Sequence, residues 1–353
     1  MSRAALLGAK NGGKTTIFKI LTGISEAKND SQSLGEVRVH DARLVRLSDL
    51  FKPKKTTFAS LSIVDFRNDS GKTFQFSPPE LGKCELLIFV LRLFNDPSVY
   101  YPFGDSLDPM REYRELVTEI CLRDLETLEK RQEKIHHSMK SAKKIEREVK
   151  EKELEFINSL KTPLEEGSGV QVREFNSQES EWLQGYNLIT LQKRMIILNR
   201  NDATQENALS QVHSSLSQAG ETVLHFDGRM ELDLSVMSSE EREEWRKEMG
   251  LEYFSSELIQ REAYKHLDYI TFFTVGEDEC RSWPIRKGTS ARSAAGKIHT
   301  DLERGFIRAE VIPYDDLMRT GSLAAAKRDN HMRLEGADYI VSDGEIVHVR
   351  FNV

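Results

Sequence analysis

The stretch Leu6 to Thr16 reads Leu-Leu-Gly-Ala-Lys-Asn-Gly-Gly-Lys-Thr-Thr and satisfies G-x-x-x-x-G-K-[ST] in full. The pattern requires a buried strand in front and a helix behind, and both are present in the sequence: Ala4 to Leu7 is apolar, and Thr16 to Leu21 opens a helix. A turn between such elements offers backbone N–H groups and the positive end of a helix dipole to an anion. Gly8, Gly12 and Gly13 let the backbone close around a phosphate chain, with Asn11 and Thr16 at the flanks of the cradle. Lys14 is expected to reach the β- and γ-phosphates, which makes it the candidate catalytic cation, and the Thr15 hydroxyl is expected to ligate a bridging Mg²⁺.

A chain of 353 residues exceeds one simple core, so two or three domains are expected. Lys and Arg number 50 against 57 Asp and Glu, so the net charge does not announce a nucleic-acid binder, although local basic patches are compatible with one. The N-terminus runs straight into the first strand, and no apolar run approaches the roughly 18 residues that cross a bilayer. The expectation is a cytoplasmic protein with no membrane partner. Cys84, Cys121 and Cys280 form no C-x-x-C pair, which argues for core residues rather than a disulfide framework or a zinc site.

Along the chain, Gly23 to Gly35 is polar and reads as a loop. Phe58 to Asp65 is an apolar strand that ends in an acid at its carboxyl end, where open parallel sheets bind ligands; Asp65 is the second candidate metal-site residue. Leu86 to Leu93 is a nearly continuous apolar run, as expected of a central strand covered on both faces. Met195 to Leu198 is a further strand that runs into Asn199-Arg200-Asn201-Asp202, and Thr222 to Phe226 is another. Strands alternating with helices behind such a loop predict a doubly wound α/β domain.

Between these strands, Pro109 to Leu160 is dense in Glu, Lys and Arg. Apolar residues Cys121, Leu125, Leu128, Ile135 and Met139, then Ile145, Val149, Phe156 and Leu160, keep approximate heptad spacing. This predicts two long antiparallel helices with Lys140, Lys143 and Lys144 near the bend. Three readings stay open for that arm: contact with RNA, contact with a protein, or a solvated face. Ser238 or Ser239 caps a charged helix, and Thr289 or Ser290 caps another through Lys297. Ile270 to Val275 and Cys280 to Ile285 predict one hairpin, and Tyr339 to Ser342, Asp343-Gly344 and Glu345 to Phe351 a second, with one helix packed on the resulting small sheet.

The tail Lys297-Ile298-His299-Thr300-Asp301-Leu302-Glu303-Arg304-Gly305-Phe306-Ile307-Arg308-Ala309-Glu310-Val311, with Leu334-Glu335-Gly336 and the closing Val349-Arg350-Phe351-Asn352-Val353, resembles the TGS domain of the YchF, or Obg-like ATPase, family. The phosphate loop, the inserted arm and Asn199 to Asp202 follow in the family's order. The resemblance is dense in the C-terminal third and sparse between Thr22 and Asn187, as in a divergent relative. It implies a nucleotide domain (1–108 and 162–268), a coiled-coil arm (109–161) and a β-grasp-like TGS domain (269–353). It further implies Mg²⁺-dependent binding and hydrolysis of ATP, with a ribosome or rRNA contact through the arm and TGS domain.

Several positions depart from the family pattern. The family's D-x-A-G reads Asp65-Phe66-Arg67-Asn68, so the glycine whose N–H meets the γ-phosphate is absent, and a loop histidine of the family is replaced by an aromatic residue near Tyr100 or Tyr101. Slow hydrolysis is the expected consequence, with two alternatives: nucleotide binding without hydrolysis, or an RNA- or ribosome-binding scaffold independent of nucleotide. Asn199-Arg200-Asn201-Asp202 fits the GTPase form N-[KR]-x-D, whose aspartate accepts from guanine, so GTP is expected to compete with ATP.

Overall fold

The computed structural model describes residues 3–24, 32–66, 73–74, 78–104, 106–170 and 173–352. The chain divides into two compact units, residues 1–35 with 62–256 and residues 36–61 with 257–353.

The first unit holds β1 (Arg3–Leu7), α1 (Lys14–Thr22), the start of β2 (Gln32–Arg38) and most of β4 (Ser60–Phe66), the division falling inside these two strands. It continues through α3 (Pro78–Leu81), β5 (Leu86–Arg92), α4 (Pro109–Met139), α5 (Lys144–Glu165), α6 (Ser177–Tyr186), β6 (Lys193–Arg200), α7 (Glu206–Gln218), β7 (Val223–Asp227), α8 (Gly228–Ser235) and α9 (Ser239–Glu248). Its six-stranded sheet has the order β2-β4-β1-β5-β6-β7. The pairs β4-β1, β1-β5, β5-β6 and β6-β7 run parallel. All seven residues of β5 are buried, which is why its sequence shows no alternation: helices cover both faces. One of those faces carries Leu7, Leu87, Phe89, Leu91, Ile196 and Leu198 against Leu116, Ile120, Leu128, Ile157 and Leu160 of α4 and α5. Truncating a residue such as Phe89 to Ala costs about 3–5 kcal/mol at a site this enclosed.

α4 and α5 lie antiparallel, as shown by cross-links whose numbers rise on one helix as they fall on the other: Arg131 with Glu153, and Lys161 with Glu129. The 31 residues of α4 extend about 46 Å at roughly 1.5 Å per residue. α4 starts with Asp108 as its N-cap, the carboxylate accepting from the Arg111 amide, and with Pro109 in the first turn. Ser238 and Glu241 form the capping box that opens α9.

The second unit contains α2 (Ala42–Phe51), β3 (Lys55–Thr57), most of α10 (Ser255–His266), β8 (Tyr269–Thr274), β9 (Glu279–Arg286), α11 (Ala291–Ile298), α12 (Thr300–Arg304), β10 (Phe306–Pro313), α13 (Tyr314–Thr320), α14 (Leu323–Arg328), β11 (Arg333–Glu335) and β12 (Glu345–Phe351). Its sheet has the order β11-β10-β12-β8-β9-β3. Phe272 faces Ala291, Ala294 and Ala295 of α11, whereas the adjacent Phe273 faces Leu44 and Leu47 of α2 and Leu317 of α13. The sheet is therefore covered on both sides, by more than the single helix the sequence suggested.

Two sequence expectations differ from this architecture. Residues 36–61 and 257–268, expected in the nucleotide domain, fall in the second unit, because β3 pairs with β9 and α2 supplies part of that unit's core. The Asp343-Gly344 step does not close a hairpin. β12 pairs antiparallel with β10 and parallel with β8, and residues 339–342 contribute one isolated bridge, between Ile340 and Ser290. The turn is instead docked on the start of β8: Asp343 Oδ1 accepts from the Thr271 amide at 2.8 Å, and the Gly344 amide donates to the Thr271 carbonyl.

Candidate functional site

The parallel register brings the carboxyl ends of five strands to one edge of the first unit's sheet. Leu6 lies opposite Asp65, Arg92 opposite Asn199, and Asn199 opposite Phe226. The loop between β1 and α1 is closed by its own backbone, with Gly12 N–H donating to the Ala9 carbonyl at 3.2 Å and Ile17 N–H to Gly13 at 3.0 Å. Glycine is required at two of its positions. A Cβ on Gly8 would lie 2.3 Å from the Val90 carbonyl oxygen, and one on Gly13, whose φ is 98°, would lie 2.1 Å from Asn199 Nδ2.

Lys14 is buried, and its ammonium donates to the carbonyls of Gly8 at 2.8 Å and Ala9 at 2.7 Å. Burial lowers its pKa, while the charges of Asp65 and Glu112 act in the opposite direction. The Thr15 hydroxyl donates to Asp65 Oδ2 at 2.8 Å. A hydroxyl and a carboxylate from two different elements in direct contact are the hard oxygen donors that Mg²⁺ takes, so the residues present fit that ion. Asn11, at φ 64°, donates from Nδ2 to the Tyr100 carbonyl at 3.1 Å. Tyr100 is exposed, whereas Tyr101 is buried, its hydroxyl next to the Asp108 backbone. Gly12 is buried and Thr16 half-buried.

At the other end, Asn199 is buried, and its Nδ2 donates to the Gly12 carbonyl at 2.9 Å, so this side chain braces the phosphate loop. Gly228 sits against it, since a Cβ there would be 3.1 Å from Asn199 Oδ1. Arg200 lies 3.9 Å from Glu206. The Asn201 amide donates to the Thr204 hydroxyl, which in turn lies 3.0 Å from the Leu93 carbonyl. Asp202 is exposed. The loop residues 25–31 and the departures at Arg67 and Asn68 lie outside the described residues.

Glu112, in the first turn of α4, is the site residue that the sequence did not mark. It is fully buried, with Oε1 accepting from the Ala9 amide and Oε2 from the Arg92 amide, each at 3.1 Å. Burial raises its pKa to about 7 against the pull of those two amides and of Lys14. An acid in a helix's first turn is common on dipole grounds alone. Only its lack of solvent sets this one apart, and sequence carries no signal for that. Arg92 continues the scaffold, its guanidinium donating to the carbonyls of Phe94, Asp96, Val99 and Tyr100.

A parallel sheet whose first strand opens through this loop into a helix, with an acid at the end of the neighbouring strand, defines the P-loop class of nucleotide-binding proteins. Comparison with known proteins narrows the class. The chain is 32% identical to the ribosome-binding ATPase YchF of Escherichia coli O157:H7, over 99% of both chains. It is 31% identical to the Obg-like ATPase 1 of Oryza sativa subsp. japonica, over 99% of this chain and 92% of that one. The chain belongs to the YchF family. The family model YchF-GTPase_C, described as a protein of unknown function (DUF933), matches residues 269–352. The structure of the Schizosaccharomyces pombe YchF GTPase superposes with a TM-score of 0.84 at 24% identity, covering 99% of this chain and 97% of that one, and so shares the fold.

Proposed function

We propose that the chain is a Mg²⁺-dependent, ribosome-associated purine nucleoside triphosphatase of the cytoplasm, which binds ATP or GTP and hydrolyses it slowly to the diphosphate and phosphate. The observation that carries this reading is the contact between Thr15 and Asp65 beside the buried Lys14. Lys14 turns from the Gly8 and Ala9 carbonyls to the phosphates and offsets their charge; Asn11, Gly12, Gly13 and Thr16 shape the cradle; Thr15 and Asp65 hold Mg²⁺. The ion, when bound, offsets charge on the phosphate oxygens. Asn199 holds the loop, while Arg200, Asn201 and Asp202 face the base. The names of the relatives support both the nucleotide and the ribosome.

Slow turnover is favoured by Asp65-Phe66-Arg67-Asn68, which has no glycine where the family places its γ-phosphate amide. Residues 109–161 act as a coiled-coil arm and residues 269–353 as a TGS domain, the two surfaces offered to the ribosome. Support for the arm comes from its bend, where Lys140, Lys143 and Lys144 flank the exposed Ile145.

Single-turnover hydrolysis of ATP and of GTP, with and without ribosomes, tests the reading. A slow rate abolished in Lys14→Ala is expected. No binding of either nucleotide by the wild type overturns it. A non-catalytic nucleotide switch is the second reading, and it predicts binding with no turnover under any condition.

A further inference from the structure

Ala9 is held from both sides. Its amide donates to Glu112 Oε1, and its carbonyl receives both the Lys14 ammonium and the Gly12 amide. Glu112 is part of the first turn of α4, and its second oxygen holds the amide of Arg92 at the end of β5. One buried carboxylate thus joins the root of the helix pair, the phosphate loop and the central strand. A further buried acid fixes α4 twelve residues on: Asp124 accepts from the Ile189 and Thr190 amides at 2.8 Å, in the segment that leads into β6. The helix is therefore seated on the frame of the site at two points, and the one at Glu112 touches the loop itself.

When Lys14 leaves the Ala9 carbonyl for a phosphate, Ala9 loses one of the bonds that fix it, and the bond to Glu112 carries more of its position. We infer that Glu112 is a positioning residue that couples occupancy of the phosphate loop to the seating of α4. The inference rests on the proposed nucleotide binding. By reciprocity, whatever shifts α4, including a partner docked on the helix pair, changes nucleotide affinity by the same factor by which nucleotide changes the affinity for that partner. A carboxylate suits the task because it accepts two amide hydrogens in different directions. Glutamine in its place turns a donor toward one of those amides, while aspartate keeps the acceptors on a shorter stem.

Hydrogen exchange of residues 109–120 in the full-length chain, with and without Mg²⁺ and a non-hydrolysable ATP or GTP analogue, tests the coupling, with calorimetry of the same samples. In the wild type, the analogue is expected to change exchange both in the loop and in the first turns of α4. Glu112→Gln is expected to bind about tenfold more weakly and to lose the change in α4 while keeping protection in the loop, with Glu112→Asp restoring part of both. Heat of binding in the wild type without any change in α4, or wild-type affinity in Glu112→Gln, overturns the coupling and leaves the proposed function intact. No heat in the wild type overturns the proposed function and the coupling with it. Should Glu112→Gln not fold, Glu112→Asp decides: wild-type affinity together with a wild-type response in α4 overturns the role of Glu112.

Discussion

The two ends of the candidate site are built differently. At the phosphate end, side chains from separate elements interlock: Lys14 on backbone carbonyls, Thr15 on Asp65, Glu112 on two amides, most of it buried. At the proposed base end, Asn199 is buried and turned toward Gly12, while Asp202 stands exposed on a short turn organised by Thr204. Charge-assisted hydrogen bonds out of solvent contribute about 1.5–3 kcal/mol each, whereas an exposed acid competes with water for its partner. Affinity should therefore reside in the phosphate end and discrimination, more weakly, in the proposed base end.

The largest effect that sharpens this contrast is expected from Lys14→Ala. It should reduce affinity for Mg²⁺ with either triphosphate by about 100-fold or more, roughly the loss of one strong charged contact, as read by calorimetry. An equal affinity in variant and wild type would break the comparison at its stronger end.

The second concerns pH. Glu112 is pushed up to about 7 from the ordinary 4.5, so the folded form holds its proton more tightly than the unfolded chain does. Its contribution is complete below pH 4.5 and is lost as pH rises through 7. At about 1.4 kcal/mol per pKa unit, stability should decline by roughly 2–3 kcal/mol across that interval. Urea midpoints measured across it should fall in the wild type and stay flatter in Glu112→Gln. A parallel course for both proteins would show that Glu112 does not set this pH dependence.

Gly13→Ala links the two ends, because its Cβ would strike Asn199 Nδ2 from a residue at φ 98°. Strain of about 1–2 kcal/mol plus displacement of Asn199 should weaken nucleotide binding about tenfold and lower the melting temperature by a few degrees. Retention of both would mean that the ends move independently. The smallest effect belongs to Asp202→Ala: about five- to tenfold weaker GTP binding with ATP unaffected, in paired titrations. An equal change for both nucleotides would show that this acid does not read the base.

Much of the site was legible because its grammar is local. The strand, loop and helix from Ala4 to Leu21 occupy the expected place, and Asp65 meets Thr15 as an acid at the end of a neighbouring strand should. Asn199 opens the stretch that matches N-[KR]-x-D, and its amide donates to the Gly12 carbonyl, a contact between residues 187 positions apart that the local pattern does not reveal. Glu112 was invisible for a related reason: it lies one turn into a charged helix, among many similar acids, and only packing removes its water.

By itself the sequence determined the elements whose geometry a few adjacent residues dictate. These include the glycine turns of the phosphate loop, the start of a charged helix at Ser238 or Ser239 and the unbroken apolar run of β5. Tertiary structure decided which strands meet and which polar groups lose their solvent. Asp343-Gly344 illustrates the first, since β12 finds β10 and β8 rather than the residues just before it; Glu112 illustrates the second. Backbone propensity acts over a turn of chain, whereas pairing and burial are set by the packing of apolar faces distant in sequence, and that competition is settled only when the whole core closes.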